Sequence, residues 1–241
     1  MSPSADGRKV LCSLASGDHR KLLCVSEPTF RDYGARHGYE VLIGDRAPAQ
    51  RPPAWAKVEL LMELLERYEL VVWIDADAVI VDPSRDIASA LPAERQLGLV
   101  RHVRGRSLVP NTGVMVLRSG ELTRRLMASL WRATHLLEHP WWDNAALAEA
   151  LGYRLPGMLM PGLAGRLHRL AARALGGEPR PCRPVRRTEF AVATELLGNE
   201  WNSVDFDPAP RPRIVHFPGI AIPSRLVGMR AALQARDPAG R

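Results

Sequence analysis

The chain has 241 residues, 46% of them hydrophobic and 24% charged, the composition of an ordinary soluble globular protein with one large domain or two small ones. No stretch is apolar enough to span a membrane or act as a secretory h-region, and three cysteines without C-x-x-C spacing exclude a disulfide frame or zinc site, so a cytoplasmic protein is expected. The formal net charge of +7 suits an anionic partner, but the basic residues are scattered arginines with Lys9, Lys21 and Lys57 the only lysines, and charge alone does not mark a nucleic-acid surface.

Residues 10–15 read as a first strand. Ser16-Gly17-Asp18 follows as a turn opening a helix through Leu22, Leu23 and Phe30, disturbed at Pro28 and stopped by Gly38. Residues 39–43 form a second strand, so the chain begins β-turn-α-β, as doubly wound nucleotide-binding sheets do, with ligands beyond the carboxyl ends of the strands. Ser16 is a candidate for holding a base or ribose, against the reading of a plain turn. Neither G-x-G-x-x-G nor G-x-x-x-x-G-K-[ST] occurs, which leaves dinucleotide and Walker-type sites unsupported. After a proline-marked loop over 44–53, residues 54–68 form an amphipathic helix. Val58, Leu61, Met62, Leu65 and Tyr68 lie on one face and Glu59, Glu63 and Glu66 on the other. Lys57 falls in its first turn, where the helix dipole disfavours a cation; it is either solvated or aimed at phosphates.

Residues 71–81, VVWIDADAVIV, are the most informative stretch. Val71 to Ile74 have the apolar, β-rich character of a strand buried on both faces. An acid ending such a strand needs a partner, because an unpaired carboxylate in low dielectric costs several kcal/mol. Alternate residues of an extended chain point the same way, so Asp75 and Asp77 can converge and offer hard oxygen donors to Mg²⁺ or Mn²⁺. The plainer reading makes Asp75 a turn cap and Asp77 a solvated acid.

Beyond the Asp82-Pro83 break, residues 97–103 and 114–117 read as strands. Between them lie a basic loop over 104–110 and the polar turn Asn111-Thr112-Gly113. Ser119 can cap a helix carrying Leu122, Leu126 and Leu130. In EHPWWDNAAL, residues 138–147, Trp141 and Trp142 precede Asp143, and Asn144 begins a short helix. Residues 163–175 read as an amphipathic helix, and 176–187, GGEPRPCRPVRR, as a mobile surface loop and candidate lid. A strand over 213–217 places His216 near its end, before Gly219, and a helix over 225–236 closes the chain.

WAKVELLMELLERYELVVWIDADAVI, residues 55–80, resembles the core of the GT-A-fold glycosyltransferases. The likeness is to the galactosyl, mannosyl and xylosyl transferase family of fungal α-1,2-galactosyltransferases and plant xyloglucan xylosyltransferases. NTGVMVLRS (111–119), WWDNAAL (141–147) and VHFPG (215–219) follow in that family's order, so the resemblance spans residues 10–219. It implies a single α/β domain with a Rossmann-like mixed sheet flanked by helices. It also implies a metal-dependent enzyme, moving a sugar from a nucleotide-sugar donor to an acceptor hydroxyl with retention.

On the same resemblance Asp75, Asp77 and His216 hold Mn²⁺ or Mg²⁺. Asp143, with Asn144 where the family usually has Gln, lies at the reacting sugar. Lys57, Asn111, Ser16 and Arg225 join the acids in holding a UDP- or GDP-linked donor, Arg225 standing in for a late lysine that this chain lacks. The acceptor is a glycan, lipid, small molecule or protein, with no nucleic acid and no transmembrane segment. From the residues alone, His216 near a strand end is ordinarily a satisfied core histidine, and it is the Gly219 following this late strand that favours a ligand.

Two other classes fit parts of the sequence. Haloacid-dehalogenase-type phosphatases also end a strand in D-x-D, with Asp75 then a nucleophile, but they need a later lysine and a second acidic pair. A non-catalytic polyanion-binding protein would cluster its arginines, and only residues 180–187 approach that.

Overall fold

A strand with no polar side chain ends up where no water reaches it. β3 (Leu70–Ile74) is buried at every position. The structure, a computed structural model, describes residues 7–46, 50–156, 167, 170 and 181–236. In it β3 lies within a six-stranded sheet of order β2-β1-β3-β6-β5-β9. Here β1 is Lys9–Leu14, β2 Glu40–Gly44, β5 Leu97–Arg104, β6 Ser107–Arg118 and β9 Thr194–Leu197. β3 runs parallel to β1, with Cys12 opposite Trp73, and antiparallel to β6, with Ile74 opposite Val114. Successive β3 side chains alternate between two cores. Val71 and Trp73 pack with α2 (Trp55–Leu64), α3 (Glu121–Arg132) and α4 (Trp142–Ala150); Val72 and Ile74 face the side of α1 (Arg20–His37).

The expected elements are present, with instructive differences. Pro28 does not interrupt α1. Pro28 and Cys24 are both exposed, so the carbonyl that loses its amide partner is left to water rather than to the core. Gly38 ends the helix in the left-handed region at φ 72°. α2 stops at Leu64, and Leu65 to Arg67 continue only as turns. Ser119 does not cap α3: its hydroxyl donates to the Leu65 carbonyl at 2.5 Å, tying α3 to the end of α2. Asn111-Thr112-Gly113 lies inside β6 rather than before it. The β5–β6 register there jumps from Leu99–Met115 to Val100–Asn111, so Thr112, Gly113 and Val114 leave the ladder with β5 while Asn111 stays in it.

The extended chain does not run through the acid pair. Asp75 to Asp77 form a tight turn, the Ala78 N–H donating to the Asp75 carbonyl at 3.0 Å. β4 (Ala78–Ile80) then leaves the sheet and pairs antiparallel with β10 (Ile214–His216). β7 (Tyr153–Arg154) and β8 (Arg183–Pro184) form a third, small sheet. Residues 181–187 of the expected mobile loop are thus partly strand, with Cys182 fully buried; residues 176–180 lie outside the described residues. Of the helix expected over 163–175 only Leu167 and Leu170 are described, both helical and exposed. The chain closes on α5 (Glu189–Val192), β9, β10 and α6 (Ile222–Arg236). No described helix is long and apolar enough to cross a membrane.

Candidate active site

β1 lies between β2 and β3, so the chain winds from β1 first to one side and then to the other, and a crevice beyond the carboxyl ends of β1 and β3 is the kind of switch point that collects ligands. Asp75 leaves β3 there, its N–H donating to the Gly113 carbonyl at 2.8 Å. The turn swings Asp77 alongside, and β10, paired to β4, brings His216 opposite Ala78. His216 Nε2 lies 3.2 Å from Asp77 Oδ1 and 3.8 Å from Asp75 Oδ2. Among the described residues these three form the group with metal-ligand geometry, their ligand atoms all within 4.8 Å of one another.

A second ring of contacts decides how the imidazole is presented. His216 Nδ1 meets Asn202 Oδ1 at 2.9 Å, and since an amide oxygen only accepts, Nδ1 carries the proton. Asn202 is held in turn: its Nδ2 donates to Asn111 Oδ1 at 2.9 Å, which also accepts the Gly113 N–H at 2.7 Å. Gly113 is under the ring itself, for a Cβ there would lie 2.2 Å from His216 Cε1. With Nδ1 so engaged, the Nε2 lone pair faces two carboxylates. That arrangement is repulsive unless a proton or a cation lies between, and two carboxylates with an imidazole suit Mn²⁺ or Mg²⁺.

The acids have their own counter-charges. Arg225, from α6, places Nη1 3.0 Å from Asp77 Oδ2. Burial pushes the Asp77 carboxyl upward, but His216 with a proton on Nε2, together with Arg225, outweighs it and holds the carboxyl below the usual range. Lys57 is buried rather than solvated. Its Nζ lies 2.9 Å from Asp143 Oδ2, 3.0 Å from Asp75 Oδ1 and 3.2 Å from the Thr112 carbonyl oxygen. Burial would lower the Lys57 ammonium, yet Asp143 and Asp75 together raise it above the ordinary lysine value. Its three donors are spent on the protein, so Lys57 ties Asp143 to Asp75 instead of reaching outward. Trp73 adds an Nε1–H bond to Asp75 Oδ1 at 2.6 Å.

The remaining residues singled out in the sequence divide between the crevice and its frame. Asp143 is buried in the first turn of α4; Asn144 beside it accepts the Thr112 N–H at 2.9 Å through Oδ1. Asn111 is part of the frame behind His216. Ser16, half-buried, follows the carboxyl end of β1, the strand next to β3, and makes no side-chain cap to the turn after it. Asn202 carries no pattern in the sequence that distinguishes it from other polar loop residues, and only the packing reveals it; Thr112 lies in the N-T-G motif, but its contact with Lys57 is likewise visible only in the packing. Trp142 adopts φ +42° and is 47% exposed beside Asp143.

The fold recurs in solved structures. A glycosyltransferase involved in glycosylation of the major capsid of PBCV-1 superposes with a TM-score of 0.65 at 12% identity, covering 93% of this chain and 99% of that one. The fold is that of the GT-A glycosyltransferases. The bifunctional WbbM glycosyltransferase superposes with a TM-score of 0.52 at 11% identity, over 96% of this chain and 51% of its own. Apo GlyE of Streptococcus pneumoniae TIGR4 gives 0.50 at 11%, over 94% and 60%. The present chain therefore spans about half of WbbM's length. Residues 16–101, from the Ser16 turn through the acid pair to β5, match the model of the galactosyl transferase GMA12/MNN10 family. No curated protein sequence matches the chain. Family match and GT-A fold together support glycosyl transfer.

Proposed function

We propose that the chain moves a sugar from a nucleoside-diphosphate donor, UDP- or GDP-linked, to an acceptor hydroxyl, with Mn²⁺ or Mg²⁺ held by Asp75, Asp77 and His216. The observation that carries this reading is the meeting of those three ligand atoms at the switch point of a GT-A sheet. When bound, the cation supplies positive charge that neutralises the departing diphosphate. The charges nearby agree: Asp75, Asp77 and Asp143 against Lys57 and Arg225 leave one net negative charge with His216 neutral, which a divalent ion converts to a positive site fit for a diphosphate.

The chain's own residues do the rest. Arg225 has donors to offer a phosphate beside Asp77, although its Nε is already bonded to the Ile220 carbonyl at 2.7 Å. Ser16, two residues past the carboxyl end of β1 and so at the same end of the sheet as Asp75, would hold the base or ribose. Asp143, fixed by Lys57, bears a carboxylate toward the reacting sugar, where negative charge favours an oxocarbenium-like centre. Asn144 spends its oxygen on Thr112 and keeps its amide N–H groups for sugar hydroxyls. Retention of configuration, a glycan, lipid, small-molecule or protein acceptor, and a reducing cytoplasmic setting, in keeping with three free thiols, complete the proposal. The phosphatase alternative is disfavoured because Asp75 is taken by Lys57 and Trp73, and no lysine follows Lys57 in the chain.

A thermal-shift comparison of UDP and GDP with and without Mn²⁺ tests the reading. Ligand at a hundred times its Kd adds about 2.7 kcal/mol of apparent stability. One nucleotide is expected to raise the melting temperature only with Mn²⁺, and Asp77→Ala to lose that rise. A nucleotide shift that survives both metal removal and Asp77→Ala would defeat the proposal.

A further inference from the structure

A cavity of about 470 Å³ lies where β5, β9 and the β7–β8 strap meet, within the ~300–1,000 Å³ usual for ligand pockets. It is separate from the acid cluster. Asp143 lies near the start of α4 and Leu151, in the cavity wall, just past its end; eight residues at 1.5 Å each set them about 12 Å apart.

Three guanidiniums line it. Among the described residues Arg101 reaches only the Tyr153 hydroxyl, at 3.5 Å, and neither Arg186 nor Arg187 has a carboxylate partner. No acid is among the residues of the wall. Glu149 and Glu189, which share a neighbouring cavity with Arg186, are already paired with His135 and Arg125.

Unpaired surface arginines are common, but this pair is carried on a fixed support. The Gly152 carbonyl accepts the N–H groups of Val185 at 2.9 Å and Arg186 at 3.2 Å. Gly152 itself sits at φ +83°, and a Cβ there would strike the Arg186 carbonyl oxygen at 2.3 Å. One step back, Cys182 bonds to both Ser107 and Leu108 of β6. Apart from the Tyr153 and Thr194 hydroxyls the rest of the wall is apolar, and part of it is open: Val185 is 58% and Leu196 43% exposed.

We propose that this cavity binds an anionic head on an aliphatic chain, the head on the arginines and the chain along Leu151, Val185 and Leu196. Guanidinium forks match phosphate or carboxylate oxygens, and the chain gains by leaving water. The inference does not depend on the glycosyl-transfer reading.

Titration calorimetry of the full chain, below micelle formation, tests it with dodecyl phosphate, dodecanoate, inorganic phosphate and dodecyl maltoside. Either dodecyl anion binds, the tighter one identifying the head group; inorganic phosphate binds more weakly and the maltoside not at all. Arg186→Gln combined with Arg187→Gln weakens the tighter anion by at least about tenfold. Val185→Gln weakens the dodecyl anion but not inorganic phosphate, and saturating UDP with Mn²⁺ leaves the dodecyl anion's affinity unchanged. Full affinity in the double arginine variant, equal binding of the maltoside, or displacement by UDP would each overturn the proposal.

Discussion

Asn202 touches nothing that a substrate would touch, yet the orientation of His216 rests on it. Removing its oxygen frees the imidazole to rotate and to place its proton on either nitrogen. Partners of metal-bound histidines typically contribute 10–100-fold in affinity. Asn202→Ala should therefore weaken Mn²⁺ binding by roughly 10- to 100-fold in calorimetry while the circular dichroism spectrum holds; unchanged Mn²⁺ affinity would show that the amide is incidental. Lys57 poses the opposite case, a charge whose loss is felt in the fold. It is 6% exposed between two carboxylates, and Lys57→Met would leave Asp143 and Asp75 facing each other uncompensated. Breaking a buried pair from one side costs about 3–5 kcal/mol, so the urea midpoint of Lys57→Met should fall accordingly. A midpoint within the error of the parent would mean that the ammonium is easily replaced.

Among the elements, the connection after β4 shows how side chains can stand in for regular structure. Residues 82–91 are held by the end of α1 and the start of β2. The Tyr33 hydroxyl donates to the Arg85 carbonyl at 3.1 Å, and Tyr39 donates to Asp86 Oδ1 at 2.6 Å. Asp86 also accepts from Lys9 at 3.0 Å. Burial alone would raise the Asp86 carboxyl, but these bonds outweigh it and hold the native value below the unfolded 3.8. The unfolded chain then binds more protons than the native one in acid. Asp86 therefore stabilises fully above its unfolded pKa, and that contribution fades as pH falls through the lower native value. Urea midpoints measured from about pH 5 down to about pH 3 should drop less steeply in Asp86→Asn than in the parent. Parallel curves would place the acid sensitivity elsewhere.

For the molecule as a whole, burial makes a simple chemical statement. Cys12 and Cys182 are buried and Cys24 is exposed. Burial pushes the Cys182 thiol up to about 11 and Cys12 higher still. A disulfide reagent should label one thiol rapidly in the native chain and all three in denaturant, where the differences in access and pKa vanish. Rapid labelling of more than one native thiol would contradict the packing of β1 or of the β7–β8 strap. The sequence by itself determined the strand at 70–74 and the acids beyond it, because apolar runs and breaks are local properties that any chain displays in order. It likewise determined α1, ended by Gly38, and the late strand bearing His216. Only the tertiary structure decided that Asp75 and Asp77 meet through a turn, that Lys57 faces inward, and that Asn202 stands behind His216. The last two outcomes depend on pairings between residues 14 to 86 positions apart in the chain, and no local pattern records which distant polar groups will share a buried site.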